Sequence, residues 1–173
     1  MANLVIMTAD ELKAINPLER QAARRAARRQ PLARLILRTF LDRGGPIPVE
    51  DVIAVCTDGR PEALRDAIVT LDDEDLIRVR AGEIDIAYPF SAAPTPFRLL
   101  LSGRRERFAC CAMDALGIAP MIGEAIVVRS QCHHCGDPLE LSVTPEGPGR
   151  NADGVMVWFG KRGDETCKVA DSL

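Results

Sequence analysis

The chain has 173 residues, of which 47% are apolar and 27% charged, and its formal net charge is −3. This is the balance of an ordinary globular protein that is long enough to bury a core. No run approaches the ~18 uncharged apolar residues of a membrane span, and the N-terminal residues lack the features of a secretory signal. We therefore expect a cytoplasmic protein without membrane contact, whose six cysteines are reduced and serve metal binding or catalysis rather than disulfides.

The first predicted element is an arginine-rich helix at residues 20–30, RQAARRAARRQ. Alanine and arginine both favour helix. The segment gives residues 1–43 a net charge of +5, against −8 for the remainder. A basic helix can contact nucleic acid or acidic lipid. Because this one is short and has no aromatic residue, a solvated helix face is the favoured interpretation.

Three amphipathic helices and a hairpin follow. Apolar spacing predicts a helix from residue 31 to Gly44–Gly45, then two shorter helices at 48–56 and 61–77. Alternation on both sides of Ala81–Gly82 predicts the hairpin. This order is typical of a winged helix. However, the third helix is acidic, and a helix that approaches phosphates should be basic, so we expect no specific nucleic-acid binding.

The second half is predicted to be mainly strand. A helix over 104–117 precedes strands at 124–130 and 138–145, and a polar loop leads to a further strand at 155–160. The chain is therefore expected to be α+β. A winged-helix-like helical lobe (1–90) precedes a mainly antiparallel sheet lobe (91–173), which carries a Cys-x-x-Asp helix.

Two adjacent cysteines and an aspartate mark the 104–117 helix. At 100° per residue, Cys111 lies in the apolar stripe, Asp114 lies at its edge within side-chain reach, and Cys110 lies on the polar side. Burial should raise the pKa of the carboxyl and make it a proton donor. The alternative is a small core cysteine beside an ordinary surface aspartate.

The second constellation is CHHC, Cys132 to Cys135, which contains both histidines of the chain. Structural zinc needs four ligands, and no second Cys-x-x-Cys is present. A redox pair of this spacing would open a helix, whereas this one lies between predicted strands. A turn-stabilising pair with occasional metal affinity is the favoured interpretation.

The order of these pieces resembles the alkylmercury lyase (organomercurial lyase) family. The similarity runs from about residue 30 onward, and its most specific block is 107–145. The resemblance implies that Cys111 is the first catalytic cysteine, Asp114 the catalytic acid and Cys132 a structural cysteine. Cys135 has no firm counterpart in the family.

The resemblance also implies the chemistry. A thiolate, the soft ligand that mercury prefers, takes the organomercurial, and a second thiolate weakens the carbon–mercury bond. The aspartate then protonates the carbon. The products are a hydrocarbon and Hg(II), which is passed to small cellular thiols, and no cofactor is required. The protein would be a monomer or homodimer.

The second thiol is left open. In the family it follows a segment that matches VADSL, where the printed sequence ends at Leu173. Three expectations stay open: the sequence is a truncated one, Cys167 or Cys110 replaces the missing thiol, or the protein binds organomercurials with weak or absent cleavage. One alternative is a non-catalytic protein that holds Hg, Cu or Zn through Cys110, Cys111, Cys132, Cys135 or Cys167. Another is a winged-helix regulator that senses metal.

Overall fold

The computed structural model describes residues 30–57 and 59–157, together with residues 8, 11 and 26. This part of the chain has the α+β fold predicted for it, with four α-helices and one antiparallel sheet. The helices are α1 (Pro31–Arg43), α2 (Val49–Val55), α3 (Pro61–Asp73) and α4 (Ala112–Ile122). The strands are β1 (Ile47–Pro48), β2 (Ile77–Arg80), β3 (Glu83–Ala87), β4 (Phe90–Ser91), β5 (Arg98–Leu100), β6 (Glu106–Ala109), β7 (Ile126–Gln131), β8 (Pro138–Thr144) and β9 (Gly147–Pro148).

The three helices predicted before the hairpin are present. Proline in the first turn starts both α1 and α3, where its missing N–H costs no hydrogen bond. Helix α1 buries Leu32, Ile36 and Phe40 on one face, and it ends at Gly44, whose φ of 78° suits glycine. The winged-helix interpretation of this lobe stays a prediction. The arginine-rich helix predicted at 20–30 lies outside the described residues, apart from residues 26 and 30.

A single sheet runs through both predicted lobes. The strand order is β1-β3-β4-β6-β5-β7-β8-β9, and all pairs are antiparallel. Strand β2 lies outside this order and pairs with β3 to form the hairpin. Strand β4 joins the hairpin to β6. The predicted boundary between residues 90 and 91 falls inside this strand and stays a prediction. The buried core is likewise shared, since Phe40, Phe90 and Val143 belong to one cluster.

The predicted helix over 104–117 is wrong at both ends. Residues 106–109 form β6, which pairs with β4 and β5 in the interior of the sheet, and α4 begins only at Ala112. Residues 106–109 pair with two neighbouring strands, and this pairing outweighs the helix preference of the charged residues at 104–107. The helix also continues past Gly117, the predicted stop, as far as Ile122. It ends at Gly123, a left-handed cap.

The predicted strands on either side of the CHHC turn are confirmed as β7 and β8. The strand predicted at 155–160 is wrong for Val155–Val157, which form no strand, and residues 158–160 lie outside the described part. None of the helices in the described ranges is long and apolar enough to cross a bilayer.

The side chain of Arg107, in β6, binds the C-terminal end of α1. The Arg107 guanidinium donates to the carbonyls of Phe40 at 2.8 Å, Leu41 at 3.1 Å and Asp42 at 2.6 Å. The last carbonyls of a helix have no partner within it and carry partial negative charge. Arg107 therefore ties α1 to the strand that leads directly to Cys110 and Cys111.

Candidate functional site

Cys111 and Asp114 lie together at the N-terminus of α4. Cys111 is the N-cap residue, with extended backbone angles (φ −150°, ψ 176°), and its Sγ accepts a hydrogen bond from the Asp114 N–H at 3.4 Å. In return the Cys111 thiol donates to Oδ2 of Asp114 at 3.1 Å. The bond from the Asp114 N–H is the first half of a capping box, with a thiol in place of the usual hydroxyl, whereas the Asp114 carboxylate accepts from the thiol itself. A thiol and a carboxylate are thereby held in contact.

The predicted pairing of Cys111 with Asp114 is therefore present, but the predicted geometry is wrong. Cys111 does not lie in a helical stripe with Phe108, since it precedes the first helical residue, Ala112. The buried face of α4 is instead formed by Ala115, Ile118 and Ala119. Both Cys111 and Asp114 are half-buried, at the border between this core and the surface.

The backbone before Cys111 is fixed by three hydrogen bonds. The Ala109 N–H donates to the Phe97 carbonyl at 2.9 Å, and the Thr95 hydroxyl donates to the Ala109 carbonyl at 2.7 Å. The Cys110 N–H then donates to the Pro89 carbonyl at 3.0 Å. Since Ala109 is fully buried, the start of α4 is anchored in the sheet.

Burial raises the pKa of the Cys111 thiol to about 11, and the negative charge of Asp114 adds to this effect. The N–H groups of Asp114 and Met113 act in the opposite direction, because they stabilise the thiolate, but they do not outweigh burial. At neutral pH the resting site is therefore a protonated thiol that donates to the carboxylate.

Cys110 is not on a polar helix face, as the sequence had suggested. It precedes the helix, only 4% of it is exposed, and it packs in a small cluster with Ile86 and Tyr88. Burial raises the pKa of its thiol above the ordinary range. Its thiol is thus enclosed in apolar surroundings, although its neighbour in the chain is at the site.

The other predicted site residues lie apart from this pair. Cys132 and Cys135 occupy the turn between β7 and β8, and Cys167 lies outside the described residues. Within residues 30–57 and 59–157, no three or more Cys, His, Asp and Glu side chains form a group that could hold a metal ion. The structure therefore does not join Cys110 and Cys111 to the CHHC turn as one four-cysteine centre.

Sequence reasoning missed Thr95 and Arg107. Both act on the backbone that carries Cys111, and neither belongs to a motif that chemistry would single out. Alternation in ERFA was the available signal for Arg107, but the surrounding arginines favoured helix. Thr95 gave no signal, since its partner is 14 residues away.

An open groove of about 340 Å³ lies elsewhere, between α2, α3 and the β2–β3 hairpin. Its lining includes Val49, Ile68, Val69 and Val79 and contains no cysteine. The groove does not border the Cys111–Asp114 pair.

Comparison with known proteins connects this site to one family. The family model MerB, alkylmercury lyase, matches residues 90–173, the segment that contains both Cys111 and Asp114. Residues 90–173 belong to the alkylmercury lyase family. The family resemblance predicted from the motifs is therefore confirmed.

Individual relatives agree with this assignment. An alkylmercury lyase of Staphylococcus epidermidis is 32% identical over 108 residues, which are 62% of this chain and 47% of that protein. An alkylmercury lyase of Streptomyces lividans is 31% identical over 107 residues, again 62% and 47% of the two chains. This chain thus spans about half the length of the curated relatives that it matches.

A crystal structure of the mercury-bound form of MerB2 has a similar fold, with a TM-score of 0.60 at 21% identity. The match covers 78% of this chain and 67% of that one. It therefore includes more of the present chain than residues 90–173 alone.

Proposed function

We propose that this chain captures an organomercurial, R–Hg–X, through Cys111 and cleaves its carbon–mercury bond with a proton from Asp114. The products would be the hydrocarbon R–H and Hg(II). The observation that carries the proposal is the 3.1 Å hydrogen bond from the Cys111 thiol to Oδ2 of Asp114. Membership of residues 90–173 in the alkylmercury lyase family supports the substrate class.

Capture uses the carboxylate as a base. Because the pKa of Cys111 is raised to about 11, the thiol must lose its proton as it binds mercury. Oδ2 of Asp114 already accepts a hydrogen bond from that thiol in the resting site and is placed to take the proton. The sulfur–mercury bond then forms, X⁻ leaves, and Asp114 holds the proton beside the bound organomercurial.

Cleavage returns the same proton to carbon. The electron pair of the carbon–mercury bond forms the new C–H bond, mercury remains on sulfur, and Asp114 is again a carboxylate. A side chain that takes a proton in one step and gives it in the next is a general base and then a general acid.

A second sulfur donor is needed to weaken the carbon–mercury bond, since a single thiolate gives a stable two-coordinate adduct. Cys110 is poorly placed for this role, because its thiol is enclosed against Ile86 and Tyr88. We propose that a small thiol from solution or Cys167 supplies the second donor. If a small thiol is the second donor, hydrocarbon release should rise with the concentration of that thiol. If Cys167 is the second donor, release should not depend on it.

The alternative of a non-catalytic soft-metal protein is less well supported. A binder needs no carboxylate in contact with its thiol, whereas Asp114 is held there by reciprocal hydrogen bonds. The metal-sensing regulator is also less favoured, because α3 is acidic, and Arg65 of α3 and Arg78 of β2 form ion pairs with Glu50 and Asp85 rather than being available to bind phosphates.

The test separates capture from cleavage. Parent, Cys111→Ser and Asp114→Asn are exposed to phenylmercury with excess small thiol, and bound mercury and released benzene are both measured. Serine is a good N-cap residue, so Cys111→Ser should keep α4 intact and still lose capture, because a hydroxyl is a hard ligand. Asp114→Asn should still capture phenylmercury, although more slowly because the base is lost, and the loaded protein should release little benzene. Asp153→Asn, an exposed carboxylate outside the site, is the matched control.

Two results would contradict the proposal. Benzene release by Asp114→Asn at the parental rate would remove the acid role. Full capture of phenylmercury, as distinct from Hg(II), by Cys111→Ser would show that another thiol is the primary ligand.

A further inference from the structure

The CHHC turn is the second thiol-bearing feature of the chain, and the proposed cleavage does not use it. The Cys132 N–H donates to the Asp137 carbonyl at 2.8 Å, and the Gly136 N–H donates to the Cys132 carbonyl at 2.9 Å. Gly136 adopts a φ of 76°, which lets the chain reverse before β8. These contacts close a tight turn with a cysteine near each end.

The two thiols of this turn are three residues apart in the sequence and both reach solvent. Cys132 is partly exposed and Cys135 is exposed, in contrast to the enclosed Cys110. The turn therefore presents two accessible thiols within one tight reversal of the chain.

Two adjacent sulfurs suit a soft ion that accepts linear coordination, such as Hg(II). Zinc would require about four ligands. No third Cys, His, Asp or Glu joins the pair in a metal-binding group among the residues described by the structure. The chemistry of the turn therefore selects a thiophilic ion that needs only two ligands.

Strand register places this turn and Cys111 at the same end of neighbouring strands. Phe108 of β6, Arg98 of β5 and Arg129 of β7 lie in one row. Because β6 and β7 are both antiparallel to β5, they run in the same direction. Cys111 follows Phe108 by three residues, and Cys132 follows Arg129 by three residues. With adjacent strands ~4.8 Å apart, the two chain segments leave the sheet about 10 Å from each other.

We propose that Cys132 and Cys135 form a second mercury site, which receives Hg(II) from Cys111 after cleavage. The exchange is balanced without an oxidant. Cys132–SH and Cys135–SH displace mercury from Cys111–S–Hg–X, which gives Cys132–S–Hg–S–Cys135, Cys111–SH and HX. Binding at the turn stands by itself, and the transfer step rests on the proposed function.

Binding is tested in the Cys111→Ser background, where the proposed primary ligand is absent. The protein is loaded with Hg(II) under reducing conditions, washed with excess monothiol and examined by native mass spectrometry. A monothiol strips mercury held by one sulfur but competes poorly with a chelating pair. We expect one retained Hg(II), with the mass change of two displaced protons.

The decisive variant adds Cys135→Ser, an exposed substitution that should not disturb the fold. Retention should fall at least tenfold, whereas Cys56→Ser in the same background should leave it unchanged. Equal retention with and without Cys135 would overturn the site. Retention by Cys111→Ser would support the site even if the parent released no hydrocarbon, so failure of the proposed function remains distinguishable.

Transfer is tested in the chain with Cys111 intact. After one round of phenylmercury cleavage, Hg(II) should protect Cys132 and Cys135 from alkylation and leave Cys111 reactive. With Cys135→Ser, mercury should remain on Cys111, and the second round should be slowed. Protection of Cys111 with a reactive CHHC turn in the parent would overturn the transfer.

Discussion

Replacement of Arg107 by methionine should destabilise the protein and loosen the strand that carries the site. The guanidinium donates to three carbonyls at the end of α1, at distances of 2.6–3.1 Å. A hydrogen bond to a charged group contributes about 1.5–3 kcal/mol, and a cation at a helix C-terminus about 0.3–1 kcal/mol. Water can replace part of these contacts because the side chain is partly exposed, so we expect a net loss of about 2–3 kcal/mol.

Urea unfolding measures this loss. Arg98→Met is the matched control, since the Arg98–Glu106 ion pair is long at 3.8 Å and about half-exposed, and such pairs contribute about 0–1 kcal/mol. For a chain of this size, the Arg107→Met loss corresponds to a fall in Tm of roughly 4–12 °C. If Arg107→Met costs no more than Arg98→Met, the capping role of Arg107 is wrong.

Four further predictions can be tested, and three of them concern the contacts around Cys111. Thr95→Val should lower the free energy of unfolding by about 1 kcal/mol, the net value of one hydrogen bond, because the donor to the Ala109 carbonyl is lost. Thr95→Ser should retain most of it, and equal urea midpoints for the two variants would contradict this role. Alkylation of Cys111 by iodoacetamide, followed by mass spectrometry, should rise with an apparent pKa of about 11 in the parent. Asp114→Asn should lower that pKa, because a repelling charge is removed, while burial still holds it above the ordinary value; an unchanged profile would argue against the contact. The same raised pKa means that the unfolded chain ionises first, so the stability due to this thiol should be lost as pH rises from about 9 to about 11, and Cys111→Ser should remove that part of the pH profile. Finally, any duplex DNA binding should come from the arginines of residues 20–29 and be lost by ~200 mM salt, and sequence-selective binding above that salt would contradict the prediction.

The first three helices and the hairpin could be predicted because their signals are local. Proline, glycine and apolar spacing mark α1 and α3 within a few residues of each end. The secondary structure of residues 104–111 could not be predicted from local signals. Strand β6 exists because it pairs with β4 and β5, and those contacts depend on the fold of the rest of the sheet.

The structure brings Cys111 and Asp114 into contact, although by a geometry other than the predicted one, and their catalytic roles stay a prediction. The sequence CAMD was interpreted as two positions on one helix, whereas it is an N-cap and its third following residue. The sequence did contain a signal for a helix N-terminus, which is a capping residue followed three positions later by an acid. Here cysteine stands in the place of serine. The alignment of Cys111 with Cys132 could not be predicted, since it depends on the register of β5 with both neighbouring strands.

The central claim is that Asp114 delivers the proton to carbon, and one measurement tests it most directly. The phenylmercury adduct of Cys111 is formed first and purified, so that capture no longer contributes, and benzene release is then followed after addition of a small thiol. General acid catalysis typically contributes about 10²–10⁴-fold, so the Asp114→Asn adduct should release benzene at least about 100-fold more slowly than the parental adduct. Equal rates from the two adducts would contradict the account.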